Sequence, residues 1–221
     1  MSRRKVSLAH EGFRIIALSA VLVVAAVGFS LLTGGGKGLW LPAATSIWFL
    51  TVVFFFRDPQ RIPPAGEKLI VAPADGKIIS LSDAFDSPLD PPGIRISIFM
   101  SVFNVHVNRV PFSGAVESVE HRLGKFKTAF KPSASLENER VEVILDSAHG
   151  KLAYRLIAGL LARRIAFHPV PGDYLKTGQR MGMIRFGSRV DLFLPHNTRI
   201  DAHLGDKVTA GETIIGEFLG S

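Results

Sequence analysis

The stretch "MGMIRFGSRVDLFLP", Met181 to Pro195, alternates along its length as a β-strand does. Ile184, Phe186, Ser188, Val190 and Leu192 fall on one face, and Arg185, Arg189 and Asp191 on the other. Read as one continuous strand, it carries a Gly-Ser pair at its centre. Glycine weakens a strand interior because it has backbone entropy to lose and no side chain to pack. A serine on the apolar face adds a hydroxyl that must be satisfied. Gly187 and Ser188 are therefore poor choices for packing, and the pair asks for another explanation.

The pattern around this strand is also β. "GIRISIFMSV" alternates Ile94, Ile96, Ile98 and Met100 on one face. "RVEVILDSAHGKLAYRLIAG" predicts two strands around a turn at 146–150, with Val141, Val143 and Leu145 answered by Leu152, Tyr154 and Leu156. "PADG", "DPPG" and "PVPGD" mark turns. Two 17-residue stretches, "GDYLKTGQRMGMIRFGS" and "GDKVTAGETIIGEFLGS", repeat at an offset of 33 residues. Their G-D-x-[LV]-x-x-G pattern resembles the hammerhead hairpin of biotinyl and lipoyl carrier domains, although neither repeat has the modifiable lysine at its tip. The expected fold is mainly β, a sandwich or barrel with hammerhead-like hairpins, preceded by an N-terminal hydrophobic α-helical hairpin. The segment "LGKFKTAFKPSASLENER" reads as a mobile basic loop.

The helical hairpin is read from two uncharged runs, one between Arg14 and Lys37 and one between Lys37 and Arg57. Each is roughly 20 residues, long enough to cross a bilayer as a helix. Residues 1–60 are thus expected to form a membrane-associating hairpin and residues 61–221 a β-rich catalytic domain. Arg3, Arg4, Lys5 and Arg14 precede the first run and Arg57, Arg61 and Lys68 follow the second, which puts both ends on the cytoplasmic side. The chain has no cysteine, in keeping with a reducing compartment. Its net charge of +7 suits an anionic membrane surface, and no nucleic-acid-binding motif accompanies it.

A serine preceded by glycine suits one reaction in particular. Ser188 Oγ can add to the Gly187 carbonyl carbon and convert the amide to an ester. Glycine helps because no Cβ shields that carbonyl and strained dihedrals are tolerated. Loss of the Ser188 α-proton then expels the Gly187 carboxylate. The dehydroalanine left behind tautomerises and hydrolyses to a pyruvoyl group, a ketone able to form a Schiff base with a substrate amine.

Taken together, "VAPADGKI", "SVFNVHVNRVP", "NER" at 138–140 and "GMIRFGSRVDLFLP" resemble phosphatidylserine decarboxylase in its short bacterial form with an N-terminal membrane hairpin. The resemblance runs in order from Arg57 to Phe218. It implies a proenzyme that cleaves itself between Gly187 and Ser188 into a β chain, 1–187, and a 34-residue α chain, 188–221. The two chains would stay associated, with a higher oligomer left open. It implies a covalent pyruvoyl group from Ser188 as the cofactor, no metal, phosphatidylserine as substrate and membrane lipid as partner, at the cytoplasmic face of the cell membrane.

Histidine near its ordinary pKa suits the proton transfers that cleavage and decarboxylation need. His106 shares a polar face with Asn104 and Asn108, and the resemblance associates it with decarboxylation. Many members carry a second histidine three residues on, where this chain has Arg109, so the base for self-cleavage is His106 acting twice or a residue such as His168. Asp75 in "PADG" matches the family's processing aspartate, although Pro-Ala-Asp-Gly is also good turn chemistry. Among the cations, Arg109 is the expected substrate contact; Arg185 and Arg189 face away from Ser188 and read as solvated charges. Phe186 and Val190 would supply an apolar wall around the carboxylate that is lost.

Two other readings accompany this one. An archaetidylserine decarboxylase would share the chemistry, and a membrane-anchored carrier-like adaptor would keep Gly187-Ser188 intact. A serine protease is excluded by the lack of G-x-S-x-G.

Overall fold

The computed structural model describes residues 5–33, 38–124, 137–159, 165–185 and 188–219. The chain divides into two compact units, 1–60 and 61–221.

In the first unit, helices α1 (Phe13–Leu32) and α2 (Trp40–Phe55) form the expected hairpin, and its ends are tied by antiparallel strands β1 (Val6–Leu8) and β2 (Arg57–Pro59). Large apolar side chains such as Leu18, Val24, Leu31, Ile47 and Trp48 are exposed along both helices. A helix that is apolar all round needs an apolar surround. The helix hydroxyls find partners on their own backbone: Ser19 Oγ donates to Ile15 O at 2.8 Å, Thr45 Oγ1 to Leu41 O at 3.0 Å and Thr51 Oγ1 to Ile47 O at 2.8 Å. That arrangement is what a medium without water requires. The segment His10–Leu32 is long and apolar enough to cross a membrane. The second run is shorter than its uncharged length promised. Its helix stops at Phe55, where Arg57 caps it by donating to Phe54 O at 2.8 Å and stacking over the Phe54 ring.

The second unit is built of strands: β3 (Leu69–Val71), β4 (Gly76–Asp83), β5 (Ile94–Met100), β6 (Val107–Arg109), β7 (Gly114–Arg122), β8 (Arg140–Ser147), β9 (Gly150–Ile157), β10 (Ile165–Phe167), β11 (Tyr174–Leu175), β12 (Arg180–Ile184), β13 (Ser188–Leu194), β14 (Thr198–Ile200), β15 (Lys207–Val208) and β16 (Ile214–Phe218). Eight of them form one sheet in the order β11-β7-β8-β9-β13-β5-β4-β15. Two three-stranded sheets, β10-β12-β6 and β14-β16-β3, pack on its inner face. Their shared core includes Ile70, Ile78, Ile96, Ile98, Leu145, Tyr154, Met181, Val190, Leu192, Ile215 and Phe218. The β8–β9 register pairs Val141 with Leu156, Val143 with Tyr154 and Leu145 with Leu152, as the alternation predicts.

The large sheet is two halves of like construction meeting between β9 and β13. Gly172 and Gly205 both have φ 95°, and Gly178 and Gly211 have φ 75° and 73°, so the sequence repeat is a backbone repeat. These four positions take the left-handed conformation that glycine adopts without penalty. The first repeat pairs β11 with β7 (Leu175 opposite Gly114), the second β15 with β4 (Val208 opposite Gly76). The likeness reaches beyond the repeat. β4 and β7 each carry a register shift at matching places, Ile78/Ser80 and Val116/Ser118. Turn "PADG" answers turn "PFSG": Ala210 N–H donates to Asp75 Oδ1 at 2.8 Å, and Thr177 N–H to Ser113 Oγ at 2.9 Å.

Two expectations change. Met181–Pro195 is not one strand: β12 and β13 lie in different sheets, on either side of the Gly-Ser junction. Nor is Arg189 a solvated charge. It is buried with Asp191, donating Nε to Asp191 Oδ1 at 2.6 Å and Nη2 to Ser97 Oγ at 2.9 Å. The outer face of the sheet is not open to water here. Ala84 and Leu89, from the β4–β5 connection, pack over Ala153 and Phe193. A second cluster joins Arg155 to Glu142 and Asp86, and Arg95 to Asp86. The basic segment from 125 to 136 lies outside the described residues, whereas Asn138, Glu139 and Arg140 at its end are buried.

Candidate active site

Ser188 is the first residue of β13 and is fully buried. β13 is a central strand with β5 on one side and β9 on the other, which fixes the serine opposite Met100. The Ser188 hydroxyl donates to Met100 Sδ at 3.4 Å. Thioether sulfur is a weak acceptor, so the serine oxygen is held in place without a strong bond. Asn108 Nδ2 donates to the same sulfur at 3.6 Å, and Asn108 is also fully buried. Its Oδ1 has no hydrogen-bond partner among the described residues. A buried amide oxygen in that state carries a desolvation cost of about 1–3 kcal/mol, a cost expected where a site is built for chemistry.

His106 stands two residues before Asn108, on the same face of an extended segment, and is likewise fully buried. Its Nδ1 lies 3.0 Å from Asn104 O. A carbonyl oxygen can only accept, so Nδ1 carries the proton and Nε2 is the basic nitrogen of the neutral ring. His106 O accepts from Ile184 N–H at 3.3 Å, which ties this segment to the end of β12, four residues before Ser188. Asn104 closes a turn by donating its N–H to Ser101 O, while its Oδ1 accepts from Ser101 N–H and Oγ.

Ser101 follows Met100 directly, and from this point a cavity of about 520 Å³ opens. Asp75, Lys77, Phe99, Ser101, Asn104 and Lys207 are among its walls. Gly76 stands on the same wall because nothing larger fits. A Cβ there would sit 2.2 Å from Phe99 O, so the β4–β5 approach depends on glycine. Asp75 binds Arg61 Nη2 through both oxygens at 3.2 and 2.9 Å and accepts from Ala210 N–H. In the other half, Ser113 performs the backbone duty alone, so a carboxylate at 75 is more than the turn requires.

The geometry thus brings together Ser188, Asn108 and the His106 segment, with Asp75 on a wall of the adjoining cavity. Arg109 follows Asn108 on β6; its N–H donates to Pro73 O at 2.9 Å and its Nη1 to Gly178 O at 3.2 Å, and it is not among the walls of the cavity. Arg185 is half-buried after β12, and His168 is exposed after β10. Phe186 and Gly187 lie outside the described residues. Met100, Asn108, Arg61 and the two lysines are not among the site residues expected from sequence. Only Asn108 left a signal there, by sharing the His106 face.

The family model of phosphatidylserine decarboxylase matches residues 48–216, a span that includes Asp75, His106, Asn108 and Ser188. The chain belongs to the phosphatidylserine decarboxylase family. It is 45% identical over 219 residues to the phosphatidylserine decarboxylase proenzyme of Geotalea uraniireducens, covering 98% of this chain and 99% of that protein. The proenzyme of Pelobacter propionicus is 43% identical over 226 residues, with 99% and 100% covered. That of Geobacter sulfurreducens is 43% identical over 223 residues, with 98% and 99% covered. Membership of the decarboxylase family makes the chain an enzyme, and the carrier-like adaptor reading gives way. The hammerhead glycines build the two halves of the sandwich.

Proposed function

We propose that this chain is a proenzyme that cleaves itself at Gly187-Ser188 and then decarboxylates phosphatidylserine to phosphatidylethanolamine and CO₂. The observation that carries the reading is the setting of Ser188: fully buried, on a central strand, with its hydroxyl lodged on a thioether beside the Asn108 amide.

In the cleavage step, Ser188 Oγ adds to the Gly187 carbonyl carbon, its proton passes to a base, and the amide nitrogen leaves to give an ester. Asn108 is the amide available to the oxyanion that forms on Gly187, a duty for which a preorganised donor is worth about 10²–10³ in rate. Loss of the Ser188 α-proton then breaks the ester C–O bond. Residues 1–187 depart with a carboxylate terminus, and hydrolysis of the remaining dehydroalanine releases ammonia. Asp75 and Asn104, whose carbonyl holds His106 Nδ1, are walls of one cavity, and we assign Asp75 to this processing stage.

The surroundings suit the group that results: a buried position at a strand start, a polar amide beside it and, for the substrate, a cavity that opens at Ser101, next to the Met100 that faces Ser188. When present, the pyruvoyl group supplies an electron-withdrawing ketone that stabilises the charge left as CO₂ departs. His106, with Nδ1–H fixed by Asn104 O, presents Nε2 to hold and return a proton at the substrate α-carbon. Phe186 and Val190 are assigned to the apolar wall, Val190 being a core residue of β13. Arg109, next to Asn108 on β6, is kept as the candidate cation for the substrate's anionic groups.

The all-round apolar helices of residues 1–60 support attachment to the membrane that supplies the lipid, at its cytoplasmic face by the distribution of Lys and Arg. The test is lipid analysis with wild-type and Ser188→Ala proteins. Phosphatidylethanolamine from the wild type and none from the variant is expected. Activity in an unsplit Ser188→Ala protein would overturn the proposal.

A further inference from the structure

Lys77 on β4 and Lys207 on β15 stand directly opposite each other across the edge of the large sheet, and both are exposed. Like charges in that relationship destabilise a strand pair. Among the described residues, neither lysine has an ion pair to offset this. The acid on the same cavity and the acid next to Lys207 in sequence are engaged: Asp75 by Arg61, and Asp206 by the N–H of His203 at 2.8 Å. The fold itself does not ask for the pair. In the other half, the matching backbone positions hold Ala115 opposite Tyr174. The lysines occur only in this half, and both are walls of the cavity that opens at Ser101, the residue after the Met100 that faces Ser188.

The rim beside them is apolar and exposed. Val102 and Phe103, 39% and 74% exposed, occupy the turn between cavity residues Ser101 and Asn104. Leu204, 69% exposed, sits on the turn that leads into Lys207. Cations flanked by apolar turn tips match the boundary of a bilayer, where phosphates lie just outside the acyl region.

We propose that Lys77 and Lys207 together bind the phosphate of an anionic phospholipid headgroup, while Val102, Phe103 and Leu204 face the acyl chains. This rests on the decarboxylase reading and names the group that fixes its substrate. The phosphate, not the carboxylate, is the partner, because a carboxylate about to lose CO₂ benefits from an apolar setting that cations would oppose.

The test uses full-length protein and two substrates: monomeric short-chain phosphatidylserine below its micelle concentration, and long-chain phosphatidylserine in phosphatidylcholine vesicles. Lys77→Gln/Lys207→Gln is compared with Lys77→Arg/Lys207→Arg and with Lys151→Gln, a surface lysine paired to Glu117. With monomeric substrate, the double Gln variant is expected to raise KM about tenfold or more, with kcat within about threefold, as loss of charge-assisted hydrogen bonds predicts. The Arg variant restores KM, Lys151→Gln behaves as wild type, and all of them split normally. An unchanged KM for the monomer overturns the proposal, even if vesicle activity falls, since that assigns the lysines to general membrane attraction. Failed splitting in the double Gln variant alone also overturns it. A wild type that neither splits nor decarboxylates would instead sink the decarboxylase reading.

Discussion

Ser188 and Met100 face each other across β13 and β5, with the serine hydroxyl on the methionine sulfur at 3.4 Å and the Asn108 amide on the same atom at 3.6 Å. The proposed cleavage gives the sulfur a positioning role and the amide an assisting one, so the two neighbours should differ on substitution. Met100→Leu conserves volume, is expected to cost less than about 1.5 kcal/mol, and still splits. Asn108→Ala is expected to slow splitting about 10²–10³-fold, followed on gels after synthesis. Equal effects of the two changes would contradict the assignment.

His106 is expected to matter after the chain has split. Its Nδ1 is committed to Asn104 O, so the ring works through Nε2. His106→Ala should lower decarboxylation by about 10²–10⁴ per split molecule. Normalising to split chain separates this loss from any effect on processing. A rate within tenfold of the wild type would return His106 to a structural role.

Asp75 can be tested with the molecule's own other half. Asp75→Ser reproduces the turn of Ser113, which accepts from Thr177 N–H as Asp75 accepts from Ala210 N–H. The variant is expected to fold with a near-native melting temperature and to split at least about 10²-fold more slowly, the lower end for a lost proton-transfer group. Normal splitting would show that the aspartate only caps a turn.

Asp86 gives the outer face a pH dependence. Burial acts to raise its pKa, but the hydrogen bond from Arg155 and the charges of Arg95 and Arg155 outweigh it, and the net shift is downward. A carboxylate with a depressed folded-state pKa contributes stability above its unfolded value, near 3.8, and loses it as pH falls through the folded value. The melting-temperature gap between wild type and Asp86→Asn should therefore be constant from pH 7 to about 5 and close below pH about 4. A gap that widens in acid would contradict the sign.

Much of this arrangement was legible in the residues. Period-two alternation gave the β8–β9 register, and the glycine repeat gave hairpins that the backbone repeats in its dihedral angles. The reading failed where pattern and topology part. Alternation cannot show that a chain changes sheet between Ile184 and Ser188, because both strands keep the same period. Nor can it tell a solvated arginine from a buried one: Arg189 and Asp191 look like an outer face until the β4–β5 connection is seen to cover the neighbouring strands. Met100, Lys77 and Lys207 join the site through strand pairing between segments far apart in the chain, a relation that no local spacing records.

The central claim is a broken peptide bond, and the intact mass of the purified wild-type protein tests it most directly. The account predicts two polypeptides, residues 1–187 and a 34-residue fragment from Ser188 onward whose N-terminus is blocked to sequencing. A single unbroken species of 24.0 kDa that still converts phosphatidylserine to phosphatidylethanolamine would contradict it.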